Sequence, residues 1–149
     1  METLENRIQE FTDELLRRMH LELKAQLVWD AETLKVALHG PDQEVALANH
    51  GKLLQALNYL LMQTFYGDFS DGRTLLVDCG DYRTARFLEL KLMAQTAADR
   101  VRTSKSAFRM QPMPPDERRI VHLALVDDTT VTTASEGFGE NRYVVISPA

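Results

Sequence analysis

The sequence predicts an α+β fold made of two small domains, one over residues 1–80 and the other over residues 81–149. The chain has 149 residues, which is enough for one ordinary domain or for two small ones. Hydrophobic residues repeat at the three-to-four spacing of a helix in some segments and alternate, as in a strand, in others. A long helical pattern separates two groups of short strands, and it places the domain boundary near its start.

The N-terminal segment predicts a helix followed by a β-hairpin. Apolar residues recur at helical spacing over residues 3–20, which indicates an amphipathic helix. Apolar and polar residues then alternate over 21–29 and again over 34–38. Because alternate side chains of a strand point to opposite faces, each run indicates a half-buried strand.

The next segment predicts two short helices and a third strand. A turn at 40–42 precedes a helix over 43–47, which ends near Asn49 to Gly51. A second helix is expected over 52–65. The run from Thr74 to Cys79 is apolar enough to predict a central strand.

The second half begins with a long helix, expected from about Tyr82 to Thr103. Its buried stripe consists of apolar residues at helical spacing: Phe87, Leu90, Ala94, Ala97 and Val101. A short strand is expected over 108–113, and Pro112 suggests that it ends there or lies at an edge.

A second helix of this half is opened by Pro114 and Pro115 and ends near Asp127. Two more strands follow, over 130–135 and 142–147, and the glycines between them predict a hairpin turn. We therefore expect a small, mainly antiparallel sheet in the second domain.

Charge is distributed unevenly along the chain, although the net charge is only -5. Residues 1–72 hold 6 basic and 12 acidic side chains, a net of -6, whereas residues 82–123 hold 9 basic and 4 acidic ones, a net of +5. A basic segment of this kind attracts phosphate groups. The asymmetry favours nucleic-acid binding by the second half.

The composition also excludes several classes of protein. No apolar run approaches the roughly 20 residues that span a bilayer, and the N-terminus is acidic, so we expect a cytoplasmic protein with no membrane span. The single Cys79 forms no internal disulfide. The four histidines are scattered, and neither a phosphate-binding P-loop nor a nucleophile elbow is present, so we expect no enzyme, no metal and no cofactor.

The main candidate site is a pair of side chains on the helix that starts at Pro115. Arg118 and His122 are four residues apart and therefore share one helical face. A guanidinium group binds phosphate oxygens in bidentate fashion, and an imidazole one turn away donates a further hydrogen bond or stacks under a base. We expect both side chains to project into solvent and contact nucleic acid.

The first half resembles a KH domain of the prokaryotic topology, in the element order helix, strand, strand, helix, helix, strand. The segment from Leu54 to Leu60 matches the helix that follows the family's Gly-x-x-Gly loop. Glycines in such a loop let the backbone approach a sugar-phosphate chain. Here Ala48 replaces the first glycine, and the loop retains the candidate contacts Asn49, His50, Gly51 and Lys52. The resemblance implies either a weakened RNA-binding loop or a KH fold kept as a scaffold.

The second half resembles an R-3-H domain, which is named for an Arg and a His separated by three residues. Arg118 and His122 match these positions, and the surrounding sequence is similar to the bacterial Jag, or SpoIIIJ-associated, family across nearly the whole chain. We expect the family's separate N-terminal Jag domain to be absent, because residues 1–20 fit the first KH helix.

The resemblance implies a non-catalytic protein that binds RNA or single-stranded DNA and acts in regulation of cell division or the envelope. It also implies a partner, either a second copy or a small KH protein. The helper cations that we expect at the site are Arg119, Arg83, Arg86 and Arg142. Arg83 and Arg86 have an alternative role, which is to form ion pairs with Asp78 or Asp81. The alternative function is a protein-interaction module that dimerises through the KH-like half.

Overall fold

A computed structural model describes all 149 residues, and the chain divides into two compact units, Met1–Arg83 and Thr84–Ala149. Each unit contains α-helices and one three-stranded sheet. The α+β fold with small sheets is confirmed. None of the helices has both the length and the apolar character that crossing a membrane requires.

The first unit follows the order helix, strand, strand, helix, strand, with the fourth element broken by a kink. Its elements are α1 (Leu4–Arg18), β1 (Lys24–Asp30), β2 (Thr33–His39), α2 (Gln43–Thr64) and β3 (Thr74–Cys79), and a 3-10 turn (Tyr66–Phe69) follows α2. The Thr3 side chain caps α1 by accepting a hydrogen bond from the backbone N–H of Asn6 at 3.2 Å.

The sheet of this unit has the strand order β1-β2-β3, in which β1 and β2 are antiparallel and β2 and β3 are parallel. The predicted alternation is observed, since Leu23, Ala25, Leu34, Val36 and Leu38 are buried and their neighbours in sequence point outward. This face and the apolar sides of α1 and α2 form the core of the unit.

The expectation that Thr74–Cys79 is a central strand is wrong, because β3 lies at an edge and β2 is central. A parallel neighbour needs a crossover, and α2 provides it between β2 and β3. Most of the apolar residues of β3 lie on one face, where Leu75, Val77 and Cys79 are buried, and Leu76 on the other face is half-buried. Its backbone is also protected, since the side-chain oxygen of Asn58 accepts a hydrogen bond from the Val77 N–H at 2.8 Å.

The second unit contains most of a long helix and a sheet of three antiparallel strands. Its elements are α3 (Tyr82–Ser104, which starts at the end of the first unit), β4 (Phe108–Arg109), α4 (Pro115–Leu125), β5 (Val131–Glu136) and β6 (Tyr143–Pro148), with a 3-10 turn (Gly139–Asn141) between the last two strands. The strand order is β4-β6-β5. β4 is shorter than predicted, because Pro112 has no N–H with which to extend the ladder.

The core of this unit lies between the helices and one face of the sheet. Leu90, Ala94 and Val101 of α3 are fully buried there, together with Val121 of α4 and Ile146 of β6. The predicted buried stripe of α3 is wrong at its first position, since Phe87 is 44% exposed. The ammonium group of Lys91, one turn further along, lies 5.4 Å from the centroid of that ring.

Candidate nucleic-acid interface

Helix α4 carries Arg118 and His122 on one face, as their spacing predicts. The helix begins at Pro115, whose fixed φ suits the first helical position and whose missing N–H costs no hydrogen bond there. Pro114 precedes it with extended backbone, and its carbonyl accepts the Arg118 N–H at 3.0 Å. The start of α4 is therefore fixed by local sequence, and this fixes where the two side chains emerge.

Arg118 is half-buried, and a hydrogen bond to the backbone fixes its side chain. Its Nε donates a hydrogen bond to the backbone carbonyl of Met113 at 3.1 Å. The two terminal nitrogens, Nη1 and Nη2, have no hydrogen-bond or ion-pair partner in the protein. The side chain thus presents a fixed cation with four unused N–H donors.

His122 differs from the expectation, because its ring is half-buried and both of its nitrogens are already engaged. Nδ1 lies 2.7 Å from the Thr133 hydroxyl oxygen, and Nε2 lies 3.0 Å from the Ser135 hydroxyl oxygen. Thr133 and Ser135 are two residues apart on β5, so their side chains share one face of the strand. The idea that the imidazole projects freely into solvent is therefore wrong.

The surroundings of His122 favour its neutral form. Burial lowers the pKa of His122 below the ordinary value of 6.5, and the positive charge of Arg118 lowers this pKa further. A neutral imidazole donates through one nitrogen and accepts through the other. It therefore accepts from one of the two hydroxyls and donates to the other, which fixes how both hydroxyl groups point.

Arg142 is used inside the hairpin of β5 and β6. Its Nη1 donates to the Gly137 carbonyl at 2.9 Å, and its Nη2 donates to the Ser135 carbonyl at 3.3 Å. Gly137 lies in the turn with φ +91°, and a Cβ there would meet the Asn141 carbonyl oxygen at 2.9 Å. Arg142 therefore holds the turn and the end of β5, and this differs from its expected role as a free phosphate ligand.

Arg86 is not available to nucleic acid, which corrects its place among the expected helper cations. It is 8% exposed, and its Nε and Nη2 donate to Oε1 and Oε2 of Glu117 at 2.9 and 3.1 Å. Its Nη1 also lies 3.2 Å from Glu89 Oε1. These carboxylates, above all Glu117, raise the pKa of Arg86 far above its ordinary value.

Arg83 also has an internal partner, although not the expected carboxylate. Its Nε donates to the Val77 carbonyl at 2.7 Å, and its backbone N–H donates to Asp78 Oδ1 at 3.2 Å. The Arg83 guanidinium forms no ion pair with Asp78 or Asp81, and the Arg86 guanidinium is paired with Glu117 and Glu89 of its own unit. The ion-pair alternative for these two arginines is therefore wrong as to its partners.

Five cations of the second unit are exposed, and none has a carboxylate oxygen within 4.0 Å. They are Lys91, Arg100, Lys105, Arg109 and Arg119. Of these, only Arg119 is among the helpers expected from sequence. The other four belong to the basic segment of the sequence. The sequence alone does not distinguish these unpaired cations from Arg86 and Arg102, which form ion pairs in the structure.

The loop over residues 48–51 interrupts α2, as predicted, and three of its residues have left-handed backbone. Asn49, His50 and Gly51 have φ of 53°, 55° and 71°, whereas Ala48 is extended at φ -61° and ψ 152°. Asn, His and Gly are among the residues that most readily adopt positive φ. The missing glycine at Ala48 therefore carries no backbone penalty.

One side of this loop faces solvent and the other side packs against the protein. Asn49, His50 and Lys52 are exposed, whereas Gly51 is buried. A Cβ at Gly51 would lie 2.8 Å from a ring carbon of Tyr82. Three of the four loop residues expected to contact RNA are thus accessible, and the fourth provides close packing.

The hydroxyls of Thr133 and Ser135 are the site groups that sequence reasoning missed. The only signal in the sequence is that Thr133 and Ser135 are two residues apart in a predicted strand, and polar residues at this spacing are common in half-exposed strands. Nothing local relates these residues to a histidine 11 and 13 positions earlier in the chain.

Comparison with known proteins places this site within a described domain and family. The model of the R-3-H domain matches residues 88–148. A relative from Clostridium symbiosum named RNA-binding protein KhpB is 30% identical over 148 residues, which are 98% of this chain and 67% of that protein. The chain belongs to the KhpB, or Jag, family. The KhpB match therefore covers both units, whereas the R-3-H match covers the second.

Two further KhpB relatives match over shorter stretches. The one from Bacillus subtilis is 30% identical over 118 residues, or 78% of this chain, and the one from Streptococcus pneumoniae D39 is 35% identical over 97 residues, or 65% of this chain. The chain spans 57% and 30% of the length of these two KhpB proteins. Both carry the name RNA-binding protein KhpB.

Proposed function

We propose that this protein binds single-stranded RNA, mainly through its second unit. The observation that carries the proposal is the set of five exposed cations without a neighbouring carboxylate, in a chain whose net charge is -5. All five lie within residues 88–148, which match the R-3-H domain. Uncompensated cations attract the phosphates of a nucleic acid and release its counterions.

The proposed contact on α4 and β5 consists of a cation and two oriented hydroxyls. Arg118 offers its two terminal nitrogens to a phosphate. The hydroxyl of Thr133 or Ser135 that accepts from His122 keeps its proton to donate to a phosphate, and the hydroxyl that donates to His122 accepts from the 2′-hydroxyl of ribose. His122 is a positioning residue in this arrangement, because its nitrogens hold the hydroxyls. Arg119, which is exposed on the same helix, adds positive charge beside this contact.

The loop of the first unit is the proposed second contact, in keeping with its resemblance to a KH loop. Asn49, His50 and Lys52 are exposed there, so that a single strand bound at the loop meets hydrogen-bonding side chains and one cation. The KhpB relatives, which are named RNA-binding proteins, support RNA as the ligand. We further propose that this protein is a non-catalytic, cytoplasmic regulator of cell division or of the cell envelope.

Fluorescence anisotropy with a labelled single-stranded RNA tests the main contact. Arg118→Ala should weaken binding by roughly 1 to 3 kcal/mol, because it removes a cation that contacts phosphate. Arg18→Ala is the matched control, since Arg18 is an exposed arginine of the first unit and its loss changes the net charge equally. Equal affinity of the Arg118→Ala variant and the unaltered protein would refute the contact. A DNA strand of the same sequence measures the preference between RNA and single-stranded DNA.

Substitutions on β5 test the hydroxyls separately from the charge. Thr133→Val and Ser135→Ala should each weaken RNA binding, whereas Thr132→Val should not, because Thr132 lies on the opposite face of β5. His122→Gln should weaken binding less when both hydroxyls are already absent. Additive effects of the three substitutions would show that His122 does not act through the hydroxyls.

A second candidate function, dimerisation through the first unit, rests on exposed apolar side chains. Tyr59 and Tyr66 are 69% and 71% exposed, and Val45 and Leu60 are 49% and 39% exposed. Apolar side chains that form one contiguous exposed patch mark protein contacts. Under this proposal the partner is a second copy or a small KH protein, and Tyr59→Lys lowers the sedimentation-equilibrium mass of an assembly without changing RNA affinity.

A further inference from the structure

A pocket of about 370 Å³ lies between α3 and β4 of the second unit. This volume is within the range of pockets that hold small ligand groups. Its apolar wall is formed by Leu92, Met93, Ala97, Phe108 and Met110. The pocket is separate from the Arg118 contact, since none of its lining residues belongs to α4 or β5.

The rim of the pocket carries positive charge and no negative charge. Arg100 and Arg109 both line it, and none of the lining residues is an Asp or a Glu. Each guanidinium lies over an aromatic ring, with Cζ of Arg100 5.5 Å from the Phe108 centroid and Cζ of Arg109 5.9 Å from the Tyr143 centroid. Rings and guanidinium planes are the surfaces on which unstacked bases stack.

We propose that this pocket takes one unstacked base of a single-stranded RNA, while Arg100 and Arg109 bind the adjoining phosphates. The inference rests on the proposed function, because it names a second contact made by the same RNA. A base is flat and apolar on its faces and polar at its edge, and it is attached to an anionic backbone. The pocket offers a matching combination: an apolar interior with Phe108, polar side chains of Thr96 and Gln111, and two cations at the rim.

The pocket and the hydroxyls of β5 lie at the two edges of the same face of the sheet. Phe108 pairs with Ile146, and Ile146 pairs with Thr133, so these residues form one row across the sheet. The two edge strands are two strand spacings apart, about 10 Å. Ile146 is fully buried between them, so an RNA strand that contacts both has to run around the core and needs more nucleotides than this straight distance requires.

The test is to fill the pocket without disturbing the core. Thr96 is exposed and lines the pocket, so Thr96→Trp places a large ring in its mouth. Gln95→Trp is the matched control, because Gln95 is the exposed neighbour on α3 and does not line the pocket. Phe108→Leu is the second variant, since it keeps an apolar side chain and removes the flat ring. Circular dichroism melting of each full-length variant verifies folding.

We expect Thr96→Trp and Phe108→Leu to weaken binding of a labelled RNA about five-fold or more, with Gln95→Trp binding as the unaltered protein does. An abasic oligoribonucleotide of the same length should bind all four proteins equally. RNA containing 4-thiouridine should crosslink within residues 92–111 of the unaltered protein.

Three outcomes overturn the inference. Unchanged RNA affinity of both pocket variants, with Arg118→Ala still weakened, defeats the pocket and leaves the proposed function standing. An equal loss with intact and abasic RNA shows that the tryptophan blocks the backbone and that no base enters. Absence of RNA binding by the unaltered protein defeats both the pocket and the proposed function.

Discussion

Arg86 and Glu117 form a buried, bidentate ion pair that joins α3 to the first turn of α4. Nε and Nη2 of Arg86 donate to the two carboxylate oxygens of Glu117 at 2.9 and 3.1 Å, and the two residues are 8% and 5% exposed. Glu117 directly precedes Arg118 in sequence. The pair therefore fixes the helix end from which the candidate contact emerges.

Removing one partner of this pair should destabilise the second unit strongly. Glu117→Ala removes both hydrogen bonds of the buried pair and leaves Arg86 with only the exposed carboxylate of Glu89 beside it, which costs about 3–5 kcal/mol in the free energy of unfolding. Urea denaturation followed by circular dichroism measures this cost. Replacing both residues, as in Arg86→Met with Glu117→Leu, should restore much of the lost stability, because no unpaired charge remains. A double variant as unstable as Glu117→Ala would contradict this account.

Gly51 should be intolerant of a side chain for a steric reason that Gly80, another glycine of positive φ, lacks. Gly51→Ala places a Cβ 2.8 Å from the Tyr82 ring, in addition to the cost of a left-handed φ of 71°. Gly80→Ala is the matched control, with φ 57° and nothing within 4 Å of the new Cβ. We expect roughly 1–3 kcal/mol of destabilisation at Gly80 and more at Gly51, measured by urea denaturation. Equal losses would show that the Tyr82 ring moves aside freely.

Stability should fall as the pH is lowered below about 6.5, because of His122. Its native pKa lies below 6.5, mainly through burial and then through Arg118, so the unfolded chain takes up the proton first. The free energy of unfolding therefore decreases as the pH falls from 6.5 toward the native pKa, and below that pKa the loss is complete.

Thermal melting between pH 7.5 and pH 5 checks this sign. The carboxyl groups whose pKa is lowered in the folded protein, such as that of Asp128, have an ordinary pKa of 3.8, so their protonation changes stability only at more acidic pH. His122→Gln should flatten the profile between pH 6.5 and pH 5, whereas His39→Gln, at an exposed position of β2, should leave the slope caused by His122 in place. A profile for His122→Gln that matches the unaltered protein would rule out this histidine as the cause.

RNA affinity should decrease with salt in proportion to the phosphates that are bound. If about four phosphates are engaged, the slope of log affinity against log salt is near -3, at about -0.7 for each phosphate of a single strand. Arg119→Ala should make the slope less steep by about 0.7, because Arg119 is exposed and unpaired. Arg17→Ala, which removes an exposed arginine paired with Glu14 on α1, is the control. A salt-independent affinity would remove the electrostatic basis of the proposal.

Much of the fold could be predicted because local periodicity specifies which face of an element is buried. The alternation that predicts two strands in the hairpin is observed in the burial of Ala25 and Val36, and the break in α2 lies where Asn49 and Gly51 predicted it. The position of β3 at an edge could not be predicted, because the sequence of an apolar strand does not indicate whether it has one neighbouring strand or two.

The sequence by itself determined the elements of this protein, the break in α2, and the placement of Arg118 and His122 on one helical face, since each follows from spacing along a single segment. Only the tertiary structure decided which of these groups are free. Arg86 has its carboxylate partner 31 residues away, and His122 has hydroxyl partners 11 and 13 residues away. Pairing of this kind depends on which segments fold against each other, so a helical pattern identifies the surface that a side chain occupies but not the partner that it finds there.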